Sequence, residues 1–139
     1  MEQTYVIEGR PITSTNSHMI VENKQRGGYM IIKSALARKY QGDATLQLRG
    51  QKNKKGYHCV TTECTVELMV YRERNSGDVD NYSKAVFDAL QNANCIINDK
   101  LIQRMVVEKH KDKENPRVEI TIRVHDDPQP SLFQNQTND

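Results

Sequence analysis

Cys64-Thr65-Val66-Glu67-Leu68-Met69-Val70 and, a few polar residues later, Asp78-Val79-Asp80-Asn81-Tyr82-Ser83-Lys84-Ala85-Val86-Phe87-Asp88-Ala89-Leu90 are the two stretches whose reading decides the fold. In the first, Cys64, Val66, Leu68 and Val70 alternate with Thr65, Glu67 and Met69, the period of a strand that buries one face. In the second, Tyr82, Val86, Ala89, Leu90 and Ala93 recur at helical spacing. A helix is expected from about Asp80 to Asn92, with Asp80 as its N-cap. The polar run Arg72-Glu73-Arg74-Asn75-Ser76-Gly77 joins strand to helix.

Downstream, Cys95-Ile96-Ile97 reads as a short apolar strand that ends at Asn98-Asp99. Met105–Lys109 and Arg117–Val124 are strand candidates, and the polar connection Lys111–Pro116 predicts that they form a hairpin. Upstream, Gln3–Glu8 is a strand stopped by Gly9-Arg10-Pro11, and Thr13–Ser17 is loop-like. From Gly28, the residues Met30, Ile31, Ile32, Ala35, Leu36 and Tyr40 fit a helix with Lys33, Arg38 and Lys39 on its other face. The pattern does not decide whether that helix passes Gly42 into Ala44–Leu48, and Gly50–Gly56 reads as a basic loop. Together these elements predict an α+β fold in which a small mixed or antiparallel sheet packs against two main helices. It forms a single compact domain over residues 1–125. Residues 126–139 have no period and little apolar content, as a disordered tail would.

A chain of 139 residues holds one domain. With two Phe and no Trp, its core must be built from smaller side chains and Tyr, so a partner subunit is a plausible source of stability. Cys59, Cys64 and Cys95 match no metal spacing and no disulfide framework. No leader-like segment and no long apolar run occurs, which makes a soluble cytoplasmic protein the expectation. The net charge of +2 conceals an asymmetry. Lys24, Arg26, Lys33, Arg38, Lys39, Arg49, Lys52, Lys54 and Lys55 face only Glu22 and Asp43 between Val21 and Val60, whereas the residues after Val124 include three Asp and no Lys or Arg. A solvated surface accounts for such a run, and so does a surface that meets phosphates.

Asp78 and Asp80 stand two apart where strand-like chain gives way to helix, so in extended geometry both carboxylates face one point. Hard divalent cations take oxygen ligands, and Asp99, at the end of its short strand, is the candidate third acid. Asp-x-Asp alone is common in loops and caps. Lys84 lies one helical turn after Asp80, where it either forms a weak surface ion pair or stabilises charge on a phosphoryl oxygen. Asp88 follows one turn later as a supporting acid. His18, His58, His110 and His125 lack zinc-ligand spacing, and no nucleophile elbow, phosphate loop or dinucleotide fingerprint is present. Acids beside a basic surface suit metal-assisted phosphodiester cleavage.

The stretch Gly77-Asp78-Val79-Asp80-Asn81-Tyr82-Ser83-Lys84-Ala85-Val86-Phe87-Asp88-Ala89-Leu90, followed by Ile97-Asn98-Asp99, resembles the RusA family of Holliday-junction resolvases. The order matches the family pattern of Asp-hydrophobic-Asp-Asn, a helical Lys, Asp-Ala-Leu and a second acidic turn. Val106–Val124 is similar to the family's closing strands. Pro11, Asn16 and His18 echo its N-terminal pattern only in part, and Asn98 stands where a further acid is common. The resemblance implies a homodimeric endodeoxyribonuclease that uses Mg²⁺, with Mn²⁺ as a substitute, to nick four-way DNA junctions in recombination and repair. It implies Asp78, Asp80 and Asp99 as metal ligands, Lys84 as the catalytic lysine, and Asn81 as the residue that orients the helix start. Lys24, Arg26, Lys33, Arg38, Lys39, Lys52, Lys54, Lys55, Arg72 and Arg74 would grip DNA phosphates. The rival readings are a non-catalytic nucleic-acid-binding module and a nuclease of the same fold that prefers flaps or other branched DNA.

Overall fold

β4 (Cys64–Arg72) is the centre of the sheet because both of its edges are paired and one of its faces is apolar. Cys64, Val66, Leu68 and Val70 are fully buried, and Thr65, Glu67 and Met69 are half-buried on the opposite face. Around it the computed structural model describes residues 1–12, 18–33, 35–74 and 79–125. Their elements are β1 (Glu2–Glu8), β2 (His18–Glu22), β3 (Tyr29–Lys33), α1 (Ala35–Lys55), β4, α2 (Val79–Asn92), a 3-10 turn (Asp99–Leu101), β5 (Ile102–Lys111) and β6 (Arg117–Val124). The main sheet runs β1-β6-β4-β5, with β4 and β5 parallel and the other neighbours antiparallel. β2 and β3 form a separate antiparallel ribbon. The expected α+β class, mixed sheet and two helices are all present.

Both helices cover the apolar face of the sheet. Ala44 and Leu48 of α1 and Tyr82, Val86, Ala89 and Leu90 of α2 join Tyr5, Ile7, Val66, Leu68, Val118, Ile120 and Ile122 in one core. Gln3 and Tyr5 form its polar inclusion. The Tyr5 hydroxyl donates to Gln3 Oε1 (3.0 Å), and Gln3 Nε2 donates to the His58 carbonyl (3.0 Å). Burial holds the Tyr5 phenol neutral, well above its ordinary titration range. The cysteines are free thiols, with Cys64 and Cys95 buried.

Four expectations are corrected. Residues 29–33 form β3 rather than the first turns of a helix. Gly27 and Gly28, at φ 78° and 76°, reverse the chain onto β2, and the β-branched Ile31 and Ile32 suit a strand. The helix starts instead at Ala35 and runs to Lys55, straight through the residues read as a basic loop. Gly42 and Gly50 are both exposed, and each costs this helix roughly 1 kcal/mol relative to Ala. Burial of Ala37, Ala44 and Leu48 offsets that cost. The helix stops at Gly56 (φ 69°), where Tyr57 N donates to Lys52 O (3.0 Å) and Gly56 N to Asn53 O (3.3 Å), a Schellman ending.

β5 and β6 do not form a hairpin, because β4 lies between them and pairs with both. Their connection crosses the end of β4, where Asp112 N donates to Arg72 O (2.8 Å) and the Asp112 carboxylate accepts from Arg117 (2.9 Å). Cys95–Ile97 is likewise not a strand. Only Ile96 bridges, to Val60, while Ile97 is exposed. The residues read as a disordered tail, 126–139, and the loop Thr13–Ser17 lie outside the described residues.

Among the described residues the outer edge of β1 has no strand beside it, and α1 supplies hydrogen-bond partners there. Val6 N donates to Gln51 Oε1 (2.8 Å), and Val6 O accepts from Gln51 Nε2 (2.6 Å). One helical turn earlier, Gln47 does the same for Glu8 N (2.7 Å) and Glu8 O (3.1 Å). Lys55 Nζ reaches Thr4 O (2.8 Å), and the Tyr57 hydroxyl accepts from Thr4 N (3.2 Å). Gln51→Ala orphans two backbone groups at a partly buried edge. It is expected to lower unfolding stability by about 2 kcal/mol in urea titration. A loss below about 0.5 kcal/mol would mean that water replaces the carboxamide there.

Candidate active site

Because β4 and β5 are parallel, the chain must travel back along the sheet between them, and α2 makes that return. The register fixes which groups share an end of the domain. Arg72 of β4 pairs with Lys111 of β5, and Arg117 of β6 pairs with both Tyr71 and Glu8, so these strand ends lie together. α2 starts from that end. At the other end Cys64 pairs with Ile102 and Val124, and α2 finishes there.

Asp80 lies in the first turn of α2, which begins at Val79. It is therefore inside the helix rather than its N-cap, and the extended geometry expected of the Asp78/Asp80 pair does not apply to it. Asp78 lies outside the described residues. An acid in a helical first turn is favoured by the positive end of the helix dipole. Lys84 follows one turn later and is exposed, Asp88 one turn after that and half-buried, and Asn81 is half-buried beside them. Tyr82 and Ser83, on the buried side, anchor this turn to the core.

Arg72 is a cation fixed at this end against α2. Its guanidinium donates to the Tyr82 hydroxyl and lies over the Tyr82 ring, 5.2 Å from the centroid. Its Nε has no hydrogen-bond partner among the described residues. Desolvation, and then the neighbouring charge of Arg10, lower its proton affinity from the ordinary arginine value. The Arg72 guanidinium is thus a partly desolvated cation beside the start of α2, with an Nε free to meet an anion. Arg10 escaped the sequence reading. Its signal was a lone cation at a strand end, in Gly9-Arg10-Pro11.

Asp99 is elsewhere. It opens the 3-10 turn, whose preceding residue Asn98 accepts from Lys100 N through Oδ1 (2.8 Å). Asp99 N donates to Oε1 of Gln91, in the last turn of α2 (2.6 Å). The helical rise between Asp80 and Gln91 is about 16 Å. Asp99, exposed, therefore lies at the end of α2 away from Asp80. Among the described residues no three His, Cys, Asp or Glu side chains gather as a metal site.

The basic residues divide in the same way. Lys24 and Arg26 are exposed in the turn of the β2–β3 ribbon, and Lys33 closes β3. Arg38 and Lys39 are in the first turns of α1, where Lys39 pairs with Asp43 (2.8 Å). Arg74 is exposed just beyond β4. Lys52, Lys54 and Lys55 end α1 beside the start of β1, and Lys55 is engaged by Thr4. From Arg38 to Lys55 is about 25 Å of helix, so these residues are not one patch. Arg49, also at the far end, donates to Asn92 O (3.1 Å) and caps α2.

No helix among the described residues is long and apolar enough to cross a membrane. No curated protein is similar enough to this chain to count as a relative. Residues 8–123, which take in every strand and helix just described except β1, of which only Glu8 is covered, and the last residue of β6, match the family described as endodeoxyribonuclease RusA. The chain belongs to the RusA endodeoxyribonuclease family.

Proposed function

We propose that this chain is a Mg²⁺-dependent endonuclease that resolves four-way DNA junctions as a homodimer, in recombination and repair in the cytoplasm. The observation that carries the reading is the placement of the acids. Asp80 and Lys84 lie in the first turns of α2, at the end where Arg72 meets Tyr82, while Asp99 is held at the other. Among the described residues, therefore, one chain brings no three acids together. A two-fold axis that sets two copies head to tail brings Asp99 of the partner subunit to Asp78 and Asp80, and it does so twice. Three carboxylates suit Mg²⁺, or Mn²⁺ as a substitute, better than Zn²⁺. The bound ion supplies Lewis acidity and a water of lowered pKa.

The chain's own groups do the rest. Arg72, with Arg10 beside it, holds a phosphate of the strand to be cut. Lys84 stabilises the charge that develops on the phosphoryl oxygens. Asn81 fixes the helix start, and Lys24, Arg26, Lys33, Arg38, Lys39, Lys52, Lys54, Lys55 and Arg74 bind backbone phosphates, so affinity falls steeply with salt. Paired sites on a two-fold dimer match the symmetry of the junction.

The test is cleavage of labelled four-way junction, flap and linear duplex with and without Mg²⁺. Junction-selective, Mg²⁺-dependent paired nicks are the expected result. Preference for flaps would reassign the substrate. Metal-independent binding without any cutting would make the protein a binding module.

A further inference from the structure

The β2–β3 ribbon is not part of the main sheet, and its turn is built with more care than a simple connection needs. Asn23 N donates to Gly28 O (2.9 Å), and Asn23 O accepts from Gly27 N (2.8 Å). Asn23 Oδ1 accepts from Gln25 N (3.2 Å) and Arg26 N (3.1 Å). Gly27 and Gly28 take the positive φ angles, 78° and 76°, that let the chain leave the turn. The result is a fixed tip that presents Lys24, Arg26 and Tyr29. Tyr29 is 78% exposed, more than the other large exposed hydrophobics among the described residues. Glu22, its cross-strand partner, is the one acid in this stretch.

A lone exposed aromatic is ordinary on a protein surface. Three circumstances set this one apart. The tip is ordered by its own hydrogen bonds, so little conformational freedom is lost when it binds. Two exposed cations, Lys24 and Arg26, share the same turn, and a two-stranded ribbon has the width to enter a DNA groove. The ribbon also leads directly into the first turn of α1, which lies beside the start of α2, where Gln41 Nε2 donates to Ala85 O (2.9 Å). Five residues of strand carry the tip about 16 Å from that base, roughly the rise of five base pairs. Bases at a branch point offer an open face to an aromatic ring, and those inside a linear duplex do not.

We infer that the ribbon tip is the branch-point reader of the protein: Tyr29 stacks on a base exposed where the strands exchange, and Lys24 and Arg26 hold the phosphates on either side. This role rests on the junction-resolving reading above. It assigns selectivity between branched and linear DNA to a residue distant from the acids.

Equilibrium binding of the full-length protein without divalent metal, to a junction carrying 2-aminopurine at its branch point and to linear duplex of the same sequence, tests it. Tyr29→Ala is expected to weaken junction binding about tenfold or more, to leave duplex binding within about twofold, and to abolish the branch-point fluorescence change. Tyr29→Trp should restore all three. Lys24→Ala should weaken both substrates alike and reduce the salt slope by about one. Wild-type junction affinity in Tyr29→Ala, or an equal loss on both DNAs, would overturn the assignment. A wild-type protein with no preference for junctions would overturn the resolvase reading and this role with it. Because Tyr29 lies outside the core, unchanged circular dichroism is expected throughout.

Discussion

Asp80→Asn protein is expected to bind four-way junctions as tightly as wild type and to cut them at least about 10³-fold more slowly. The substitution keeps the size and removes only the charge. Asp80 sits in the first turn of α2, where an acid contributes about 0.3–1 kcal/mol through the helix dipole. A change that small shifts the melting temperature by a few degrees and leaves the protein folded at the assay temperature. Loss of cutting with retained binding then belongs to the chemistry rather than to stability. Single-turnover cleavage rates beside a binding isotherm separate the two. A variant that still cuts at a tenth of the wild-type rate would remove Asp80 from the site.

The second large effect is a recovery. Asp99→Asn is expected to be as inactive as Asp80→Asn, yet a mixture of the two inactive proteins should cut. The reason is the separation of the two acids along α2, with Asp99 held by Gln91 in the last turn. If each site draws Asp80 from one copy and Asp99 from the other, a mixed dimer has one site with both substitutions and one with neither. After subunit exchange the mixture should nick at about a quarter of the wild-type rate. It should not make paired cuts, because each mixed dimer has a single intact site. If all three acids came from one chain, no mixed dimer would contain an intact site, and the mixture would stay inactive. Nicked and resolved junctions migrate differently, so one gel reads both outcomes.

The elements legible in the sequence were those with strong periodicity and one buried face. β4 and α2 lie where Cys64, Val66, Leu68, Val70 and Tyr82, Val86, Ala89, Leu90 placed them. α1 was harder because much of its binding face is not apolar. Gln47, Gln51 and Lys55 hold it to β1 by hydrogen bonds, and hydrophobic patterning does not register such contacts. The strand β3 was hidden because Met30-Ile31-Ile32 is apolar throughout, and a short continuous run does not distinguish strand from helix. The β5–β6 pairing failed for a topological reason. A short polar connection predicts a hairpin, but the parallel partner brought back by α2 placed β4 between them. At the site, the order of Asp80, Lys84 and Asp99 along the chain was readable, and their distance was not. Helix length separates Asp80 from Asp99, and spacing in sequence alone does not report it.

The carboxamide-sealed edge of β1 also sets a timetable for folding. β1 emerges long before its strand partner β6 during synthesis, and Arg123 meets Glu2 across 121 residues of chain. Closing so long a loop is slow. Gln47 and Gln51 lie only 39 and 45 residues from the strand groups they satisfy, so α1 can dock on β1 while the rest is still being translated. The nascent strand then waits for β6 with one side already occupied, closed to pairing with neighbouring chains on the same message.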